Sequence, residues 1–291
     1  MQQKSYNRRI VRKGNRYRRR RTKRNLILSF LVIILIVVIG LVFKSCGNGS
    51  EETNSGNQEE TNSKVDINDT ETKQPEVEKK RVVLDAGHGF ADGGCTSEYL
   101  NGKESEVTLA MVNILKSKLE AAGVEVVLTH NGATFPSANE IKQLANQHGV
   151  SYDSGYIINN NIFSANERAV YTSILNKQKT VDLFLSIHIN SIAGHPEVSR
   201  NEIYYCESNP FATQLQSFCN SLANKLDNEA RVTATPYNDS YIVTKYVDCP
   251  AVLIESGYAT SPDDAAKLNS TTWRDEYCET ICKEILSMLN I

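Results

Sequence analysis

Apolar and polar positions divide the chain into three stretches of different character. Residues 26–43 form a run of Leu, Ile, Val and Phe that only Ser29 and Gly40 interrupt. Residues 44–80 are rich in Gly, Asn, Ser, Thr and Glu and contain no aromatic residue. From residue 81 onward, short apolar runs alternate with segments of helical periodicity. This last pattern predicts one folded domain over 81–291, long enough to bury a core of its own.

The folded stretch has the pattern of an α/β protein. Apolar runs bounded by turn residues predict strands at 81–85, 124–130, 181–190, 202–206 and 251–256. Apolar residues at helical spacing predict helices at 106–122, 166–178, 210–228 and 273–290. Because strands and helices alternate along the chain, we predict a central sheet covered by helices.

The apolar run has the length of a membrane span. Its 18 residues would extend roughly 27 Å as a helix, close to the hydrocarbon thickness of about 30 Å. Residues 1–24 contain 12 of the 32 Lys and Arg residues and no acid. The positive-inside rule then predicts a basic cytoplasmic tail at 1–25, a signal anchor at 26–43 and an extracytoplasmic domain. A cleaved signal peptide is the alternative, but its apolar region would be shorter.

Charge is distributed unevenly along the chain. All 34 acidic residues follow residue 45. The basic residues at 1–24 abut the apolar run, which favours a role in membrane topology over nucleic-acid binding. Residues 44–80 hold nine acidic residues and few large apolar ones. We therefore predict a disordered acidic linker there, since such a segment cannot offset its own ordering entropy.

Three polar residues follow apolar strands in the predicted domain. His88, His188 and Glu255 each lie at or just past the end of a strand. In open α/β sheets the ligand crevice lies beyond the carboxyl ends of the strands. Two imidazoles and a carboxylate suit Zn²⁺, with a fourth position left to water. The spacing leaves the carboxylate ligand open among four residues: Asp85, Glu104, Glu106 and Glu255.

Five blocks resemble, in order, the zinc-dependent N-acetylmuramoyl-L-alanine amidases of the Amidase_3 type. The blocks are VVLDAGHG (82–89), NGKESEVTLA (101–110), NERAVYTSILN (166–176), LFLSIHIN (183–190) and PAVLIESGY (250–258). The resemblance implies a mixed, mostly parallel sheet with helices on both faces. It also implies a Zn²⁺ ion held by His88, Glu104 and His188, with Glu255 as the catalytic acid and base.

The activity implied by the resemblance is hydrolysis of the amide between N-acetylmuramic acid and L-alanine in peptidoglycan. Together with the membrane anchor, this predicts a membrane-tethered cell-wall hydrolase with its domain outside the cytoplasmic membrane. One alternative is a non-catalytic, membrane-anchored wall-binding or regulatory module. Another is a zinc peptidase or deacetylase that acts on a different wall bond.

The segment 133–163 departs from the resemblance, because the family often has only a short link there. It contains a predicted short helix at 137–147. We interpret the segment as a surface insertion, with a lid that brings Glu140 over the metal as the sharper hypothesis. Elsewhere, His130 stands where the family more usually has Arg, and Arg168 is expected to form a buried ion pair. The cysteines show no CxxC pair and are expected to serve as small apolar packing residues.

Overall fold

A six-stranded sheet forms the centre of the computed structural model, which describes residues 78–226 and 230–291. The strands are β1 (Arg81–Ala86), β2 (Glu125–Leu128), β3 (Leu183–Asn190), β4 (Glu202–Cys206), β5 (Arg231–Thr235) and β6 (Ala251–Tyr258). The α-helices of these residues are α1 (Glu104–Ala121), α2 (Ala138–His148), α3 (Ala165–Gln178), α4 (Ala212–Leu226), α5 (Ile242–Lys245), α6 (Pro262–Asn269) and α7 (Thr271–Leu289). A turn of 3₁₀ helix covers Tyr237–Asp239.

The strand order is β2-β1-β3-β6-β4-β5. The strands β2, β1, β3 and β6 are parallel to one another. The strand β4 is antiparallel to β6, and β5 is parallel to β4. The predicted mixed, mostly parallel sheet is therefore confirmed. Because β1, β3 and β6 are parallel neighbours, their carboxyl ends meet at one edge of the sheet.

Alternate residues of the strands bury themselves against helices on opposite faces of the sheet. Leu84 and Ile254 belong to a core that includes buried residues of α1, α4 and α7. Phe184 and Leu253 belong to a second core, which contains residues of α3 and α5. The period of two along each strand explains why one short apolar strand supplies both cores.

The structure adds elements that the sequence pattern did not predict. The strand β5 was missed because its residues RVTAT include only one large apolar residue, Val232, and are mostly exposed at the sheet edge. The short helices α5 and α6 were also missed. All predicted strands and helices are present. The strand at 202–206 has its predicted bounds, the others have shifted ends, and β2 is shorter than the predicted 124–130.

The segment 133–163 folds around α2. Ser137 begins this helix: its Oγ accepts a hydrogen bond from the Glu140 backbone, and its own N–H donates to the Glu140 carboxylate at 2.7 Å. Gly149 ends the helix in the left-handed conformation at φ 67°. Ile141 and Ala145 are buried on the inner side of the helix. The segment therefore packs its apolar residues into a small core that it shares with Val170 and Ile174 of α3.

Removing the cap of α2 tests how much this helix contributes. We expect Ser137→Ala to lower the free energy of unfolding by about 1 kcal/mol, because the Glu140 N–H loses its acceptor. Urea denaturation measures the change. The control is Ser151→Ala in the same segment, whose exposed side chain makes no hydrogen bond within the described residues. Equal stabilities of the two variants would contradict a capping role.

No helix within 78–226 and 230–291 has both the length and the apolar character needed to cross a bilayer. The predicted tail at 1–25, the predicted anchor at 26–43 and residues 44–77 of the predicted linker at 44–80 lie outside the described ranges.

Candidate active site

His88 lies in the loop that leaves β1, one residue after Gly87. Its Nδ1 is 2.8 Å from Oδ2 of Asp92, and its Nε2 is 3.3 Å from Oε2 of Glu104. A hydrogen bond from Nδ1–H to a carboxylate fixes the tautomer and leaves the Nε2 lone pair free for a metal. Burial lowers the pKa of His88, but the carboxylates of Glu104 and Asp92 outweigh it and raise the pKa to about 9 in the metal-free protein.

Glu104 is the first residue of α1 and is buried between strand β3 and the loop that contains Cys95. Its Oε1 accepts a hydrogen bond from the Ile189 backbone at 3.0 Å, and its Oε2 accepts one from the Cys95 backbone at 2.9 Å. Burial raises the pKa of Glu104, but hydrogen bonds and charges from His188 and His88 hold it well below its usual range. The helix N-terminus also favours a negative charge at this position. Glu104 is thus held as a carboxylate in a fixed orientation.

His188 lies near the end of β3, where the pairing with β6 changes register between His188 and Asn190. Its Nδ1 is 3.0 Å from Oε1 of Glu104. The ring lies so close to Gly87 that a Cβ there would come within 2.5 Å of Nδ1. The glycine before His88 therefore makes room for the second histidine.

These three side chains fit a zinc ion. His88, Glu104 and His188 each offer one ligand atom, and the three atoms lie within 4.8 Å of one another. Two imidazole nitrogens and one carboxylate oxygen form a donor set typical of zinc sites that keep an open position. Gly94, at φ 68°, closes the cradle: a Cβ there would meet Oε2 of Glu104 at 2.5 Å and Cδ2 of His88 at 2.7 Å.

A substitution at Gly94 tests this cradle. We expect Gly94→Ala to weaken zinc binding at least tenfold, because the methyl group pushes the carboxylate and the imidazole apart and φ 68° is unfavourable for alanine. Competition with a chromophoric chelator measures the affinity. Gly149→Ala is the control, since Gly149 is also left-handed but has open space around it. Wild-type affinity in Gly94→Ala would show that the cradle is not formed as described.

The other candidate ligands lie elsewhere. Glu106 is exposed, and its carboxylate accepts a hydrogen bond from the Lys103 backbone at the start of α1. Asp85 is fully buried and pairs with Arg168, with Nε and Oδ1 2.9 Å apart. The expected buried ion pair of Arg168 is therefore present. Asp85 does not contact His88; Asp92, which the sequence analysis missed, does.

Glu255 lies in β6 directly opposite His188 in the register. Its side chain is buried, and its Oε2 has no hydrogen-bond partner within the described residues. Burial raises the pKa of Glu255 to about 8, and the negative charges of Glu104 and Glu202 act in the same direction. A buried carboxyl group with a free oxygen and a pKa near neutrality is suited to proton transfer.

Glu202 is a further carboxylate that the sequence analysis missed. It is the register partner of Glu255 across the antiparallel β4–β6 pair. It accepts hydrogen bonds from Asn190 at 2.9 Å, from the Tyr204 hydroxyl at 2.8 Å and from Arg200 Nε at 2.8 Å. Glu202 thus fixes the Asn190 side chain at the edge of the site.

An open cavity of about 530 Å³ connects these groups. It is lined by the four predicted site residues and by the following neighbours, among others: Asp92, Cys95, Arg168, Asn190, Tyr241 and Ile242. No residue of 133–163 lines it. Glu140 caps α2 and lies at a different cavity, so the structure does not support the hypothesis that Glu140 occludes the metal.

The cysteines and His130 have structural contacts. All six described cysteines are unpaired, and five of them are buried. Cys95 lies at the cavity, but its Sγ faces the Ile189 carbonyl at 3.4 Å and it is not part of the metal-binding cluster. His130 is buried, with Nε2 2.9 Å from the carbonyl oxygen of Ala86.

The fold and the site together define an α/β protein with two histidines and a carboxylate converging at the carboxyl edge of a parallel sheet. The chain belongs to the Amidase_3 family, described as N-acetylmuramoyl-L-alanine amidase, whose model matches residues 82–154 and 155–287. The family resemblance inferred from the five sequence blocks is thereby confirmed.

Two similar proteins come from Bacillus subtilis (strain 168). The germination-specific N-acetylmuramoyl-L-alanine amidase is 26% identical over 210 residues, which cover 71% of this chain and 78% of that protein. The N-acetylmuramoyl-L-alanine amidase LytC is 28% identical over 208 residues, covering 69% of this chain but only 34% of that protein. The chain therefore spans about a third of LytC.

Solved structures of similar proteins share the fold. The N-acetylmuramoyl-L-alanine amidase AmiC2 of Nostoc punctiforme has a TM-score of 0.51 and 25% identity, over 74% of this chain and 99% of that one. An N-acetylmuramoyl-L-alanine amidase from Clostridium difficile 630 has a TM-score of 0.52 and 21% identity, over 73% and 97% of the two chains.

Proposed function

We propose that this protein hydrolyses the amide bond between N-acetylmuramic acid and L-alanine in peptidoglycan. The observation that carries the proposal is the convergence of His88, Glu104 and His188 on one point beside the unpartnered carboxyl group of Glu255. Membership of the amidase family, and relatives named for this activity, support the choice of bond.

Zinc is the proposed metal, held by His88, Glu104 and His188. When bound there, it would lower the pKa of a water molecule from 15.7 to about 7 in favourable cases and polarise the scissile carbonyl. Glu255 accepts the proton of the attacking water on its free oxygen and delivers it to the leaving amine. Asp92 orients the His88 ring, and Glu202 holds the Asn190 amide at the cavity edge.

The location of the protein is part of the proposal. Residues 26–43 anchor the chain in the cytoplasmic membrane, with residues 1–25 in the cytoplasm and 81–291 outside. Residues 44–80 then act as a tether that limits hydrolysis to nearby wall. The charge asymmetry and the length of the apolar run support this arrangement.

The activity is tested with peptidoglycan and the zinc-loaded full-length chain in detergent. We expect soluble stem peptides that begin with L-alanine, identified by mass spectrometry, and we expect none from His188→Ala. Products cut at another bond would contradict amidase activity and would indicate a zinc peptidase or deacetylase instead. Zinc binding without any product would favour a non-catalytic wall module and overturn the proposed activity.

The anchor is tested separately by fractionating cells that express the chain. We expect the protein to stay in the membrane fraction after an alkaline carbonate wash. Once the cell wall is removed, we expect added protease to digest the domain at 81–291 while the cytoplasmic membrane is still intact. Replacing two apolar residues at the centre of the run, as in Ile34→Lys with Val37→Lys, should release the chain from the membrane. A wild-type chain found in the soluble fraction would contradict the anchor.

A further inference from the structure

The loop that carries His88 has an unusual backbone. Both His88 and Phe90 adopt the left-handed conformation, at φ 65° and φ 60°. This conformation is unfavourable for residues with a Cβ, and more so for a bulky aromatic residue than for histidine. Such residues persist only where the surrounding structure holds them in place. The loop that carries His88 therefore depends on contacts with the residues around it.

The segment 133–163 supplies contacts to the loop on two sides. The Phe90 ring lies 4.2 Å from the Phe135 ring, centroid to centroid, and 5.3 Å from the ring of His130. The backbone N–H of Ala91 donates to the carbonyl oxygen of Asn161 at 3.1 Å. One end of the segment thus packs against the Phe90 side chain, and the other end binds the backbone that follows it.

The segment is itself fixed to the rest of the domain. Ile141, Ile157 and Phe163 are buried in a cluster that includes Val170 and Ile174 of α3. Phe163 stacks on Phe135 with centroids 5.3 Å apart, and its carbonyl oxygen accepts a hydrogen bond from Arg168 at 2.8 Å. The aromatic group in contact with Phe90 is therefore anchored to a helix of the main fold.

We propose that Phe90 is a positioning residue for the metal centre. Its contact with Phe135 and His130 holds the left-handed turn, and the turn aims Nε2 of His88 at Glu104. The segment 133–163 then acts as a support for a metal ligand. This inference rests on the metal centre of the proposed function, and it extends that function to residues that do not touch the metal.

The test is the zinc affinity of the full-length chain in detergent, measured by competition with a chromophoric chelator. We expect Phe90→Ala to weaken binding by about tenfold to a hundredfold, as loss of groups that orient metal ligands does. Phe90→Leu keeps an apolar contact and should weaken binding less. Phe135→Leu removes the aromatic ring that contacts Phe90 and leaves the sequence of the loop unchanged. It should also weaken zinc binding.

A second measurement follows the loop without metal. Hydrogen exchange of the Ala91 amide should be faster in metal-free Phe90→Ala than in the metal-free wild type, because the turn is no longer held against Asn161. Leu289→Ala, which removes a buried side chain of α7, is the control for a general loss of stability. It should lower the melting temperature and leave both the zinc affinity and the Ala91 exchange unchanged.

The outcomes separate this inference from the proposed function. Wild-type binding no stronger than that of His188→Ala would overturn the metal centre, and the inference with it. Strong wild-type binding that Phe90→Ala and Phe135→Leu leave unchanged would overturn the inference alone. A loss of affinity in Leu289→Ala equal to that in Phe90→Ala would also overturn it, because the effect would then reflect stability.

Discussion

Glu255→Gln is expected to lower the rate of amide hydrolysis by about a hundredfold to ten-thousandfold and to leave zinc binding unchanged. Glutamine keeps the shape of the side chain but cannot accept and return a proton. An amide requires both activation of water and protonation of the leaving amine, and in the proposed mechanism Glu255 performs both proton transfers. Kinetics on purified peptidoglycan and chelator competition measure the two properties on the same preparation.

The control for Glu255→Gln is Glu197→Gln, an exposed carboxylate that pairs with His195 outside the cavity. It should retain wild-type activity. If Glu255→Gln lost zinc together with activity, Glu255 and not Glu104 would be the carboxylate ligand. If it kept full activity, proton transfer would have to be assigned to another residue.

The positions of the two histidines could be predicted from the sequence, but the carboxylate ligand could not be derived from spacing. His88 and His188 follow buried strands, and the crevice rule brings the ends of parallel strands together. Glu104 and Glu106 lie only two residues apart, so which of the two side chains turns toward the histidines depends on where α1 begins. The structure begins α1 at Glu104 and turns it inward, whereas the periodicity had predicted a start at 106.

Contacts that depend on long-range packing could not be predicted. Glu202 meets Glu255 only because β4 adds to β6 in the antiparallel direction, and no local pattern specifies that pairing. Likewise, the sequence predicted a short helix in 133–163 but not its contact with the loop that carries His88. The contact of Asp92 with His88 was only weakly indicated by the sequence, in which a carboxylate follows a candidate ligand by four residues.

Arg168→Met is expected to lower the free energy of unfolding by about 3–5 kcal/mol, because it leaves the Asp85 carboxylate buried without its cation. Asp85 is fully buried, and without Arg168 its remaining partners are the hydroxyls of Thr129 and Ser186. Urea denaturation of the metal-free chain measures the loss. Lys177→Met is the control on the same helix: its ion pair with Asp248 is exposed, and little change is expected.

The pH dependence of this loss separates charge from packing. Burial raises the pKa of Asp85, but the charge of Arg168 and the hydrogen bonds from Ser186 and Thr129 hold it below its ordinary value of 3.8. A carboxyl group whose pKa is lowered by folding stabilises the protein above its unfolded pKa, and this stability is lost as the pH falls through the folded pKa.

In Arg168→Met the guanidinium no longer lowers the pKa of Asp85. The buried carboxylate therefore takes up a proton at a higher pH, and its charge disappears. The stability difference between wild type and Arg168→Met should therefore narrow as the pH falls from about 7 to about 4. A difference that stayed constant over this range would attribute the loss to packing of the Arg168 side chain and not to its charge.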